Sequence, residues 1–394
     1  MALKTRALAT VTGLFTLSTA LAFTVPAASA ETDPALPAPT GARQVGTTSL
    51  YLKDTSRPDT WVPSVNAREL MVSLWYPAKA HDGQRAPYMT PKESQALLKG
   101  SGITGVPGDV LSKTRTHAFR DALPVGRVHG MPLVVLSPGL AWQRSSLTSL
   151  AEDLASRGYV VAGIDHTYET HATTFPDGRV TTCVACTVPA EERAARAIRG
   201  RAADVSFVLD QLLGRHSKWK GSVLIDPSRI AMVGMSLGGG SVPETMLRDT
   251  RVRAGLNLDG PHRVAIPQRG LQRPYMILGQ ARQDATWDRD WPHVTGWKRW
   301  LAVHGAIHSS FTDYDTLTQQ IGVDQGSRLP GNRSIEITRA YVRAFMDLHL
   351  RHRPQPLLDK TSARYPEVTF EGRAGTSPGY GNTLMLQDVQ AEPA

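Results

Sequence analysis

Cysteine is nearly absent from this sequence: its 394 residues contain two, Cys183 and Cys186. So few exclude a small disulfide-stapled scaffold, and a structural zinc site would need two further ligands that no spacing supplies. After the first 30 residues no apolar run is long enough to span a bilayer, so a soluble mature chain is expected. Aromatic residues make up 7% and charged residues 20% of the chain, with no long basic block and no nucleic-acid motif, so nucleic acid is not an expected partner. No internal repeat is visible. No residue pattern calls for a cofactor or a metal.

What is present is globular composition, 41% hydrophobic, with length enough for a large core. The N-terminus differs from the rest. Lys4 and Arg6 precede an apolar run from Ala7 to Val25, and Ala28-Ser29-Ala30 offers small residues for cleavage. This is the pattern of a secretory signal peptide over residues 1–30, and Thr10, Thr12, Thr16, Ser18 and Thr19 dilute the run against the alternative of an uncleaved anchor. Removing it leaves +7 of the formal +9 charge. In a secreted, extracellular protein Cys183 and Cys186 are expected to pair within one loop. Arg193, Arg196, Arg199 and Arg201 form the one dense cationic cluster, which reads as the solvated face of a helix.

Within an N-terminal lead-in over residues 31–64, Glu31 to Arg43 is rich in Pro, Ala and Thr and reads as flexible. The main domain is expected over residues 65–370, with a tail at 371–394. Leu70–Tyr76 reads as a strand ending at Pro77, and residues 78–128 as a cap or long loops. From residue 131 apolar strands alternate with amphipathic helices. Leu133–Leu136, Tyr159–Ile164 and Ile230–Val233 are the clear strands; Ala254–Leu258, Tyr275–Leu278 and Trp300–Val303 are weaker ones. Helices are expected through Leu147, Leu150, Ala151 and Leu154, through Ile198, Ala202, Val205, Leu209 and Leu212, and over Ile335–Leu350. The class is α/β, a mostly parallel sheet with helices on both faces.

Gly234-Met235-Ser236-Leu237-Gly238 sits between the strand Ile230–Val233 and a helix expected over Ser241–Arg248. A G-x-S-x-G on a strand-to-helix turn is the nucleophile elbow of the α/β-hydrolase fold. A serine hydroxyl needs a histidine to take its proton and an acid to orient that histidine, and in this fold the order is Ser, acid, His. Asp259 at the end of Ala254–Leu258 and His308 beyond Val303 satisfy that order. Asp284 satisfies it too, although Asp259 directly abuts its strand; His304 and His262 are alternative bases. His166 ends another strand, either lining the pocket or lying in a polar loop. The expected oxyanion-hole donors are the Leu237 amide and, after Leu133–Leu136, the Leu140 amide of Ser137-Pro138-Gly139-Leu140-Ala141.

Gly234–Gly239, Leu258-Asp259-Gly260 and His308-Ser309-Ser310-Phe311-Thr312-Asp313 together resemble the secreted platelet-activating factor acetylhydrolase family. Leu74-Trp75-Tyr76-Pro77-Ala78 and Tyr365-Pro366-Glu367-Val368 extend the resemblance over roughly residues 65–370. It implies the acid after the strand that follows the nucleophile strand, hence Asp259, and calcium-independent hydrolysis of short acyl esters at the sn-2 position of phospholipids. The partners it implies are a small ester or phospholipid and a transient lipid surface. One departure stands out: the family's His-Gly-Leu-Gly loop reads Pro138-Gly139-Leu140-Ala141 here. Pro-Gly at this loop also resembles cutinases and polyester hydrolases, whose acid would correspond to Asp284. A non-catalytic binding protein on the same scaffold is the alternative of another class, although such relics usually lose a triad member.

Overall fold

The computed structural model describes residues 33–79 and 83–371; the expected signal peptide and the C-terminal tail beyond Glu371 lie outside the described residues. The strands are β1 (Val45–Asp54), β2 (Arg68–Pro77), β3 (Phe119–Arg120), β4 (Met131–Ser137), β5 (Val160–His166), β6 (Thr173–Thr174) and β7 (Val180–Thr181). They continue with β8 (Ile225–Met235), β9 (Val252–Leu258), β10 (Tyr275–Gln280), β11 (Lys298–Val303) and β12 (Val368–Glu371). The helices are α1 (Pro91–Gly100), α2 (Thr148–Ser156), α3 (Ala190–Leu213), α4 (Leu237–Arg248), α5 (Ala285–Asp290), α6 (Asp313–Gln320) and α7 (Gly331–Arg351).

Ten strands form one sheet in the order β12-β11-β10-β9-β8-β4-β5-β2-β1-β3. From β11 to β5 neighbouring strands are parallel, while β2, β1 and β12 join antiparallel at the two sides. The apolar runs are continuous because both faces are covered. Alternate residues of β4 serve opposite layers. Val134 and Leu136 pack with Leu150 and Leu154 of α2 and Tyr341 and Phe345 of α7. Leu133 and Val135 pack with Val205 and Leu209 of α3 and Val242 and Met246 of α4. All three weaker strand candidates are strands, and their carboxyl ends line up beside that of β8, where an open parallel sheet places its functional groups.

Two expectations need correction. Residues 33–43 are not a loose lead-in. Leu36 is buried against Tyr88, Leu97 and Leu317, and the guanidinium of Arg339 donates to the Pro37 and Ala38 carbonyls at 2.9 and 2.8 Å. Pro and Ala make the segment read as linker, but a buried cation satisfies its backbone acceptors. The sheet also begins before residue 65. β1 pairs along its whole length with β2, and its partly solvated, Thr-rich face hides the strand from a search for apolar runs. Residues 78–128 hold α1, whose Thr90–Glu93 capping box fixes its start. Leu97 and Leu98 of α1 and Leu111 pack against Tyr314 and Leu317 of α6.

Candidate active site

β8 ends at Met235 and α4 begins at Leu237, so the chain must reverse on one residue. Ser236 takes φ 54° and ψ −122°, a conformation rare for a side-chain-bearing residue and one that stores strain at functional sites. The flanking glycines are dictated by contact. A Cβ on Gly234 would lie 2.1 Å from the Gly238 carbonyl oxygen, and one on Gly238 would lie 2.1 Å from that of Ser137. The Ser236 amide donates to the Leu258 carbonyl at 2.8 Å, tying the elbow to the end of β9.

The next residue after β9 is Asp259, fully buried and also at positive φ, 53°. Its Oδ1 accepts from the Gln280 amide at 2.9 Å, and its Oδ2 from Gln280 Nε2 at 2.7 Å. Oδ2 also accepts from His308 Nδ1 at 2.6 Å, and His308 Nε2 accepts from Ser236 Oγ at 2.8 Å. With Nδ1–H committed to the carboxylate, Nε2 carries the lone pair. The three side chains form one hydrogen-bonded path able to carry a proton from Oγ to imidazole. His308 sits on the short 3₁₀ turn His308–Phe311 after β11, partly open to solvent.

The alternatives go elsewhere. Asp284 caps α5, accepting from the Thr286 and Trp287 amides, and pairs with Arg282 at 2.8 Å. Burial works to raise its pKa, but hydrogen bonds from Thr286 and Arg282 outweigh that and hold it below the usual carboxylate range. His262 is buried between Asp290 and the Tyr275 hydroxyl, and His304 pairs with Thr369 on the surface.

His166 fits neither expectation. It is fully buried, bonded through Nδ1 to Asp204 at 2.7 Å and through Nε2 to the Ser137 hydroxyl at 2.9 Å. Burial, reinforced by nearby Arg201, pushes its pKa down. Asp204 also binds Arg68 at 2.8 Å, and Arg68 reaches Asp59 at 2.7 Å. Burial opposes ionisation of Asp204, but the Arg68 charge and the His166 hydrogen bond overcome it and hold its pKa well below the usual range.

Arg201 is part of this network, which corrects its assignment to a solvated helix face. It is 1% exposed, pairs with Glu169 at 2.7 Å and donates to the Pro138 carbonyl, with Gly139 O a longer 3.5 Å away. Glu169 in turn accepts the Ala141 amide through its backbone carbonyl at 2.7 Å. A trans peptide sets C=O and N–H on opposite sides. Drawing Gly139 O toward Arg201 therefore turns the Leu140 N–H away from it. Leu237, first residue of α4, has no intrahelical acceptor for its own N–H. Leu140 and Leu237 both border an apolar shoulder with Tyr168, Val184 and Val188, around Trp61 and the loop closed by the Cys183–Cys186 disulfide. Sequence reading missed Arg201, Glu169 and Asp204 because surface and buried charges look alike in one dimension. Trp142, whose ring centroid is 5.9 Å from that of His308, belongs to no motif that would single it out in sequence.

The profile of the family described as platelet-activating factor acetylhydrolase, isoform II, matches residues 28–183. A probable 1-alkyl-2-acetylglycerophosphocholine esterase of Arthroderma benhamiae is 28% identical over 372 residues, covering 85% of this chain and 93% of that protein. The ferulic acid esterase from Streptomyces cinnamoneus, a solved structure, superposes with TM-score 0.79 at 41% identity, covering 86% of this chain and 100% of that one. The chain has the α/β-hydrolase fold and is similar to the platelet-activating factor acetylhydrolase family. It is a carboxylic ester hydrolase. The platelet-activating factor acetylhydrolase of Cavia porcellus, 25% identical over 319 residues, covers 70% of this chain and 72% of its own.

Proposed function

We propose that this esterase is a secreted serine enzyme that cleaves short-acyl esters, with sn-2 acetyl and oxidised phospholipids among its substrates. The observation that carries the reading is the continuous path from Ser236 Oγ through His308 to the buried Asp259 carboxylate. Ser236 attacks the ester carbonyl while His308 Nε2 takes its proton; Asp259 holds the ring and stabilises the imidazolium. The Leu140 and Leu237 amides receive the oxyanion, where one such donor is worth roughly 100- to 1000-fold in rate. His308 then gives its proton to the departing alkoxide, leaving an acyl group on Ser236. Water, deprotonated by His308, releases the acid and restores the serine.

A second substrate reading has its own support. The solved relative that aligns along its whole length at 41% identity is named a ferulic acid esterase. The shoulder beside Ser236 offers Tyr168 and two valines, a surface that suits a planar aromatic acyl group as well as an acetyl chain. Comparing kcat/KM for an sn-2 acetyl phospholipid, methyl ferulate and p-nitrophenyl butyrate decides between them. The acetylhydrolase reading predicts the phospholipid as the best substrate, and a preference for methyl ferulate overturns it. Secretion predicts a mature chain beginning at Glu31, checked by intact mass of the exported protein.

A further inference from the structure

At the end of the sheet opposite Ser236 lies a cleft of about 650 Å³. Its walls come from segments far apart in sequence: Arg43, the Gly126–Gly130 loop before β4, Arg157-Gly158 before β5, Arg229 of β8, and Arg351 and Arg353 at the end of α7. Among the described residues no Asp or Glu lines it. Three of its arginines are compensated: Arg157 by Asp153 at 3.4 Å, Arg229 by Asp226 at 2.7 Å and Arg351 by Asp347 at 3.0 Å. Arg43, Arg127 and Arg353 have no carboxylate within ion-pair distance among the described residues.

Two bland explanations account for only part of this. Cations at the carboxyl end of α7 complement the helix dipole, but that concerns Arg351 and Arg353 alone. A solvated helix face would place its charges on one element, whereas these come from five. The floor of the cleft is kept open by Gly158, at φ +90°. A Cβ there would sit 3.4 Å from Arg351 Nη2 and 3.7 Å from Arg43 Nε, so two guanidiniums flank the same open point. Asp347 answers the charge of Arg351, so among the described residues Arg43 brings an unpaired positive charge to this point.

We propose that this cleft is a binding site for a soluble, multiply charged phosphate or sulfate. Guanidinium forks match the oxygens of phosphate and sulfate, and a single monovalent anion would leave most of the cleft's charge unanswered. Location decides between sources of that chemistry. β4 alone separates the cleft from the elbow by roughly 20 Å at about 3.3 Å per residue, so docking this end on a lipid surface would turn Ser236 away from it. A dissolved anion has no such conflict. The site is independent of the ester chemistry.

The test uses tripolyphosphate with the full secreted chain, alongside chloride at matched ionic strength and phosphatidate vesicles. Calorimetry should show saturable tripolyphosphate binding that weakens at least roughly tenfold in R43Q/R127Q/R353Q, while p-nitrophenyl butyrate hydrolysis stays unchanged in the variant. Tripolyphosphate should also raise the melting temperature of the wild type and not of the variant. Binding no stronger than the chloride control, or undiminished in the variant, overturns the proposal. So does attachment to the vesicles without binding of free tripolyphosphate.

Discussion

Asp259 and Asp284 are chemically identical acids that follow successive strands, and their partners give them different work. Asp259 holds the imidazole tautomer, so Asp259→Asn should cut kcat for p-nitrophenyl acetate by roughly ten-thousand-fold, with little change in melting temperature. Asp284 accepts the first free amides of α5, so Asp284→Ala should cost about 1 kcal/mol in urea unfolding and leave kcat near wild type. If the two variants exchange these phenotypes, the assignment of the acid fails. The hydrogen-bonded path from Ser236 through His308 to Asp259 was legible in sequence because each member follows a strand end in a fixed order. Arg201 was not, because its neighbours Glu169 and Pro138 meet it only through the fold.

At the scale of elements, the proposed catalysis rests on two loops held in unusual shapes. The elbow is shaped by contact distances, with no room for a Cβ on Gly234 or Gly238. The proposed oxyanion loop, residues 137–141, is held by the Arg201 guanidinium on the Pro138 carbonyl and by the Glu169 backbone carbonyl on the Ala141 amide. Arg201→Met leaves the Glu169 carboxylate buried without this partner and should cost about 3–5 kcal/mol in urea unfolding. Arg201→Lys keeps the charge but loses the fork, so kcat should fall while KM holds. A rise in KM at constant kcat would assign Arg201 to substrate binding instead. The parallel strands were readable as apolar runs because both faces are covered. β1 was not, since Thr47, Ser49 and Tyr51 give it a polar, partly exposed face whose pairing with β2 only the sheet reveals.

The whole molecule adds long-range electrostatics that no local pattern predicts. Asp313 starts α6 just after the His308 turn and faces the amide of Ser149 on α2, with Tyr88, Glu152 and Arg339 around it. Burial pushes its pKa up to about 7, against the partial help of Ser149 and Arg339. Between the unfolded carboxyl range near about 4 and about 7 the folded chain therefore keeps a proton that the unfolded chain releases. Stability from this group is lost as pH rises through that window. Asp313→Asn removes the titration, so its melting temperature relative to wild type should climb from acidic to neutral pH; a constant offset would contradict this. The same scale explains the basic cleft, whose arginines look scattered in sequence and are gathered only by the sheet's amino end.

A serine nucleophile carries the acyl group during turnover, so Ser236 should be acylated in mid-reaction. Acid-quenching the enzyme during the burst with p-nitrophenyl acetate, followed by peptide mass mapping, tests it directly. One acetyl group is expected, on Ser236, absent from Ser236→Ala along with activity. Acetyl on another residue, or turnover that survives Ser236→Ala, would contradict it.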